Sequence, residues 1–249
     1  MATGLFYEKP VLLDRAQHRR WRVRPSESFA FARNINSVFI AGSEFGEAAK
    51  EYPLVFSRLE GGQVVPLALL GLRRNENLFV QADGRWDAHY LPAYVRRYPF
   101  VLAEVAPGQM GVCLDEAYAG LSFSEGEPLF DEQGGDAPFL KNALDFLNQY
   151  QSDYLRTEAF CRQLVELDLL TEMTARADLN DGRSFNVAGL LVVNADRLNA
   201  LTDEQVLHLA RSGTLALIHL QQASLSNLNR LIDRMAARKS PLQAPPKPE

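Results

Sequence analysis

Two cysteines are all the thiol chemistry that 249 residues hold, and they stand 48 positions apart, at Cys113 and Cys161. Neither lies in a CxxC or other ligand spacing, so no disulfide framework or cysteine-based metal site is expected, and both read as small buried hydrophobes. Histidine is as scarce: His18, His89, His208 and His219 form no HxH, HxxxH or HxE pair. A zinc or iron site would have to be assembled from distant segments, and no metal or cofactor is expected. Phosphate-cradling loops are missing too, since neither GxxxxGK[ST] nor GxGxxG occurs, and there is no GxSxG nucleophile elbow. Acidic residues are plentiful, but spacing alone selects no acid–base pair.

Positive charge is also short. With 26 Lys and Arg against 31 Asp and Glu the net charge is -5, which argues against a general nucleic-acid binder and leaves room only for a local basic patch. No apolar run approaches the roughly 20 residues that span a bilayer. The most apolar stretch, GTLALIHLQQASLSNLNRLI, is interrupted by His219, Gln221, Gln222, Ser224, Ser226 and Asn227. The start, MATGLFYEKPVLLDRAQHRR, lacks a basic region followed by an apolar one, so no secretory leader or membrane insertion is expected, and the location is read as cytoplasmic.

What is present reads as a β-rich first half and a helical second half. YPLVFSRL, Gly61-Gly62 and QVVPLALLGL make a hairpin, with Pro66 at a strand start or an edge. NLFV running into Ala82-Asp83-Gly84 signals a second hairpin, and PFVLAEV, Ala106-Pro107-Gly108 and QMGVCL a third. SEFGEAAKEY predicts a short helix capped by Ser43 and stopped before Pro53. After a connector, Ser124 to Asp136, helix resumes with Asp136 as N-cap and Pro138 in the first turn; DAPFLKNALDFLNQY and DYLRTEAFCRQLVELDLL are two helices or one long bent one. TEMTARADL, Asn180-Asp181-Gly182 and RSFNVAGLLVVN form another hairpin. Thr202 and Gln205 form a capping box, with Gly213 past that helix's end. In the last helix Ile218, Gln221, Leu225, Leu228, Ile232 and Met235 recur in steps of three and four, a seam for another helix or for a second copy of the chain. The tail KSPLQAPPKPE is too proline-rich to pack.

One segment carries the densest chemistry. GRWDAHYLPAYVRRYPF holds Trp86, His89, Tyr90, Tyr94, Arg96, Arg97 and Tyr98. Pro92 and Pro99 limit any helix to about Pro92 to Arg97, so the aromatics do not form one helix face. Positive charge at that helix's C-terminus is favourable, and Asp83 and Asp87 are the nearby carboxylates for pairing. In the preferred reading the aromatics fill a gap between sheet and helices and the arginines bridge carboxylates or carbonyls. In the other, Trp86, His89, Tyr90, Tyr94, Arg96, Arg97 and Tyr98 form a binding surface for a peptide or anionic ligand, because Trp, Tyr and Arg dominate interface hot spots. His219 is read as a core histidine, or with Ser224 and Asn227 as the lining of a polar pocket.

At these residues the chain resembles a known family. EFGEAAKEYPLVF, ALLGLRRNENLFV, GRWDAHYLPAYVRRYPF, GEPLFDE and GLLVVNADRLNAL…SGTLALIHLQQASLSNLNRL are similar to the bacterial SapC family, named from surface-layer protein secretion loci, and occur in order from about Pro10 to Met235. The resemblance implies no established activity and no agreed catalytic residues. It implies a link to the export or display of surface proteins, or to peptide tailoring. The similarity lapses at Gly213-Thr214, where the family tends toward Gly-Trp, and at Phe39, where it tends toward Pro.

The expectation is an α+β protein: one domain over 1–237, with a β-rich part over 10–123, a helical part over 136–237 and a disordered tail over 238–249. An antiparallel sheet from residues 10 to 120 should pack against the helices, with a second small hairpin at 171–194. Its expected role is that of an accessory protein binding a protein or peptide. The alternatives are an enzyme acting on a peptide or small molecule, with a pocket near His219, Asn227 and the Trp86–Arg97 segment, and a self-associating structural protein dimerised through the last helix.

Overall fold

The computed structural model describes residues 5–106, 108–178 and 184–238. Pro107, the Asn180-Asp181-Gly182 turn and the proline-rich tail from 239 onward lie outside the described residues.

The chain is α+β, and among the described residues its strands form three antiparallel sheets. The first has three strands: β1 (Pro10–Leu12), then β7 (Gln109–Asp115), then β6 (Phe100–Ala106). A small one places β2 (Arg22–Val23) between β8 (Leu121–Ser122) and β9 (Glu127–Pro128). The largest runs in the order β10 (Leu170–Asp178), β11 (Ser184–Val193), β4 (Leu54–Arg58), β5 (Val64–Leu69), β3 (Ser37–Phe39).

Two of the three predicted first-half hairpins form as read. β4 turns into β5 through Gly61 and Gly62, both at positive φ, where glycine costs no Cβ clash. β6 turns into β7 likewise. The NLFV segment instead makes a single bridge, Val80 to Trp86. The 171–194 hairpin is not a small accessory. Its strands are the two longest, and β11 pairs with β4, so the hairpin extends the main sheet. Pro66 lies inside β5, between two neighbours rather than on an edge. Its missing N–H falls opposite Ile40, one residue past β3, so a single ladder bond is lost while the Ile40 N–H still donates to the Pro66 carbonyl at 3.2 Å.

The helices are α1 (Phe45–Ala48), α2 (Ala93–Arg96), α3 (Pro138–Glu166), α4 (Ala195–Asn199), α5 (Asp203–Arg211), α6 (Thr214–Ser224) and α7 (Asn227–Ala237). α3 is one continuous helix of 29 residues. Asp136 does not cap it: the N-cap is Ala137, and the Asp136 carboxylate meets Arg15 at 3.0 Å. The Thr202–Gln205 capping box forms, and Gly213 adopts positive φ after α5. The predicted last helix is two, α6 and α7. Of the seam, Ile218, Gln221 and Met235 are buried on this chain's own core, while Leu225, Leu228 and Ile232 are half-buried against it.

Two clusters of buried side chains result. The main one lies on the five-stranded sheet. The other gathers Val23, Phe100, Leu114, Tyr118 and Leu129. α3 serves both, giving Leu140 and Leu147 to the smaller and Phe160, Cys161 and Leu164 to the larger.

Candidate functional site

The Gly84–Phe100 segment is a strap laid over the main cluster and tied at both ends. It begins at Gly84, whose φ is +90° and where a Cβ would stand 2.1 Å from the Ser28 Oγ. Trp86 then stacks on Phe79, with ring centres 6.2 Å apart, and its indole N–H donates to the Tyr52 hydroxyl at 2.9 Å. That hydroxyl donates in turn to the Tyr90 carbonyl. The Glu51 carboxylate accepts the backbone N–H groups of His89 and Tyr90, at 2.9 and 3.0 Å.

Glu44 makes the deepest tie. Its carboxylate accepts from the Ala41 N–H at 2.8 Å, the Ala93 N–H at 2.7 Å and the Tyr90 hydroxyl at 2.7 Å. Burial pushes this carboxyl above its ordinary value, against the pull of those donors. Glu44 thus replaces Ser43 as the residue that fixes the short helix: no side chain caps α1, and Glu44 bonds back to Ala41 while gripping the first turn of α2.

α2 is short because Pro92 opens it and Pro99 follows shortly after. Successive residues on a helix point about 100° apart, so Arg96 and Arg97 leave in different directions. Arg96 is exposed, with its guanidinium 5.2 Å from the Phe146 ring centre and 5.8 Å from that of Tyr90. Arg97 is only 7% exposed. Its guanidinium lies 4.1 Å from the centre of the Tyr94 ring, 4.9 Å from Tyr150 and 5.8 Å from Tyr7. Burial pulls its pKa down, the Tyr150, Tyr7 and Tyr94 oxygens push it up, and the net direction is up, so it stays charged. Burial raises the pKa values of Tyr7 and Tyr150, so those two rings are neutral.

Among the described residues no carboxylate lies within ion-pair distance of Arg96 or Arg97. The expected pairing with Asp83 and Asp87 does not occur. Asp83 binds Arg85 at 2.6 Å, and Asp87 binds Arg234 of α7. Among the described residues the Arg97 Nε has no hydrogen-bond partner. Burying an unpaired guanidinium costs several kcal/mol, and a cation–π contact returns about 0.5–2. Three rings and the Tyr7 hydroxyl oxygen therefore soften this charge, but no anion among the described residues pairs it.

A cavity opens on either side of α2. One, of about 470 Å³, is walled by Phe29, Phe31, Tyr98, Phe139 and Phe146, with Arg96 at its rim. The other, of about 460 Å³, is walled by Phe39, Leu67, Tyr94, Val101, Leu102 and Tyr150. Arg97 lines both. A wider cleft of about 790 Å³ lies where α3 passes α6, but two of its charged residues, Asp153 and Arg156, pair with each other. Among the described residues no group of three His, Cys, Asp or Glu side chains could hold a metal ion.

Of the residues singled out in the sequence, Trp86, Tyr90, Tyr94 and Tyr98 are half-buried against the main cluster, and Tyr98 stacks on Phe31 at 4.2 Å. Arg96, Arg97, Tyr94 and Tyr98 reach a cavity. The His89 ring points to solvent, 3.6 Å from Glu51. His219 is neither a core residue nor near α2: it is exposed on α6, beside Gln222 at 3.3 Å. Asn227 is buried and donates to the Ala49 carbonyl at 2.7 Å, fixing the start of α7. Tyr7, Glu44, Glu51 and Tyr150 were not among the expected site residues. Glu44 and Glu51 stand in the family-like stretch EFGEAAKEYPLVF and Tyr150 in a predicted helix, but all four lie far from the strap in sequence, so only the fold brings them there.

Compared with known families, residues 13–231 match the SapC family. Comparison with curated proteins and with solved structures gives no match.

Proposed function

Because this chain belongs to the SapC family, we propose that it is an accessory protein that binds a peptide or protein at the cavities flanking α2, in a surface-protein export or peptide-tailoring pathway. The observation that carries this reading is the pair of successive arginines. Arg96 and Arg97 each face an aromatic cavity, and neither has a carboxylate partner among the described residues. Aromatic and apolar walls with a few convergent polar groups are what ligand sites are made of, and Arg beside Tyr is the composition of interface hot spots. No helix among the described residues is long and apolar enough to cross a membrane.

The test is selection from a random heptapeptide library, followed by titration of the selected sequences against the wild type, Arg96→Ala and Phe146→Ala. Micromolar binding that weakens about tenfold or more in either folded variant supports the site. A library that yields no binder counts against peptide binding. Peptides that bind both variants as they bind the wild type exclude the cavity at Arg96 and Phe146, and the same titration with Arg97→Met and Ala103→Trp then decides the second cavity; indifference to all four variants places the site elsewhere.

A further inference from the structure

The second cavity has two features beyond its apolar wall. The first is the Arg97 head. Tyr94 and Tyr150, the two rings nearest the guanidinium, both line this cavity with Arg97, so a charge with no carboxylate partner among the described residues borders it. Arg97 is more than nine-tenths buried, and among the described residues its Nε has no partner. An anion there would replace a cost with a charge-assisted, two-pronged pair, the geometry in which Arg holds a carboxylate.

The second is free strand edge. β6 ends the three-stranded sheet and β3 ends the five-stranded one, and both line this cavity. The hydrogen-bond register says which backbone groups face outward. The Leu13 N–H donates to the Val112 carbonyl and the Asp115 N–H to the Pro99 carbonyl, so Val112 turns to β1 while its neighbours turn to β6. Leu102, opposite Val112, therefore turns its own N–H and C=O away from β7. On β3 the Leu70 N–H donates to Asn36 and the Ile40 N–H to Pro66, which leaves Ser37 and Phe39 facing outward. Among the described residues none of these outward backbone groups has a partner. Unpaired edge groups are what an added strand uses.

We propose that this cavity receives the C-terminal end of an extended peptide with apolar last residues, its terminal carboxylate on Arg97 and its backbone along the free edge of β6 at Leu102. This rests on the peptide-binding reading above and deepens it. A fatty acid would also supply a carboxylate and an apolar body, but it has no amide groups to use the edge. The volume, about 460 Å³, is within the roughly 300–1,000 Å³ of small-ligand sites.

The test uses the full chain and fluorescein-labelled heptapeptides selected from the random library, each made as the free acid and as the C-terminal amide. Binding is read by anisotropy for the wild type, Arg97→Met and Ala103→Trp, with dodecanoic acid as competitor. The proposal expects selected peptides to end in apolar residues. Amidation and Arg97→Met should each weaken binding between about tenfold and a hundredfold. Ala103→Trp, which fills the cavity from β6 without touching Arg97, should abolish binding with an unchanged melting temperature. Arg97→Met and Ala103→Trp report independently, so a variant that fails to fold leaves the other to decide. Peptides that bind equally well as acid and amide, while Arg96→Ala weakens them, overturn this inference and leave the broader reading standing. No peptide binding at all overturns both. Dodecanoic acid binding that needs Arg97, without any peptide binding, makes the occupant a lipid and overturns the peptide assignment.

Discussion

The Arg97 guanidinium, on the residue that ends α2, lies 4.1 Å from the centre of the Tyr94 ring three residues earlier, and among the described residues no carboxylate accompanies it. The contact is local, but its meaning is set by Tyr150 from α3 and Tyr7 from the N-terminal segment, which close the cage and bury the charge. A buried ion pair loses heavily when one partner goes, because the other is stranded. Arg97 strands nothing.

The stability of Arg97→Met should therefore lie within about 1 kcal/mol of the wild type, since lost cation–π attraction and relieved desolvation nearly cancel. Urea unfolding followed by circular dichroism measures it. A loss of 3 kcal/mol or more would make Arg97 a structural pillar instead.

Glu44→Ala should cost about 3 kcal/mol, because it leaves the Ala41 and Ala93 N–H groups and the Tyr90 hydroxyl without an acceptor. The loss should depend on pH. Glu44 has a raised folded pKa, so the folded chain binds its proton more tightly than the unfolded chain. Its contribution is full below the ordinary value of 4.5 and declines as pH rises from there to the folded value. The gap between wild type and Glu44→Ala should be widest at low pH and narrow through that window. A gap that widens with rising pH would mean that the three donors outweigh burial.

His89→Ala and His219→Ala should each change stability by less than about 0.5 kcal/mol, because both side chains are exposed. Glu51→Ala should cost about 1–3 kcal/mol, since it frees the His89 and Tyr90 N–H groups. Thermal melts of the three variants compare them directly. A large effect at either histidine would point to a role that the exposed rings do not show.

Ile218→Asp should abolish folding, because Ile218 is fully buried on the chain's own sheet and the variant would bury an unpaired charge. Light scattering with circular dichroism separates the alternatives. A folded monomer replacing a dimer would show that this face of α6 is an intermolecular seam after all.

Much of the fold was legible because its signals are local. A glycine pair makes the β4–β5 turn, and a Thr and a Gln three apart cap α5 through their own backbone. The family resemblance was legible for the same reason, since it rides on unbroken stretches. Where local signals competed with distant partners, the partners won. Asp136 was a good cap by sequence, but Arg15 holds its carboxylate. One apolar seam became two helices, because Ser224 and Asn227 bond to the backbone around β4 from either side of the break.

The candidate site divides along that line. By itself the sequence determined that aromatic residues and two arginines would crowd between Pro92 and Pro99, and that the prolines would keep the helix there short, because φ restriction acts on neighbours. Only the tertiary structure decided that Arg96 would meet solvent while Arg97 would be caged by Tyr7, Tyr94 and Tyr150. Burial and charge pairing depend on which distant segments arrive, and no spacing along the chain encodes that.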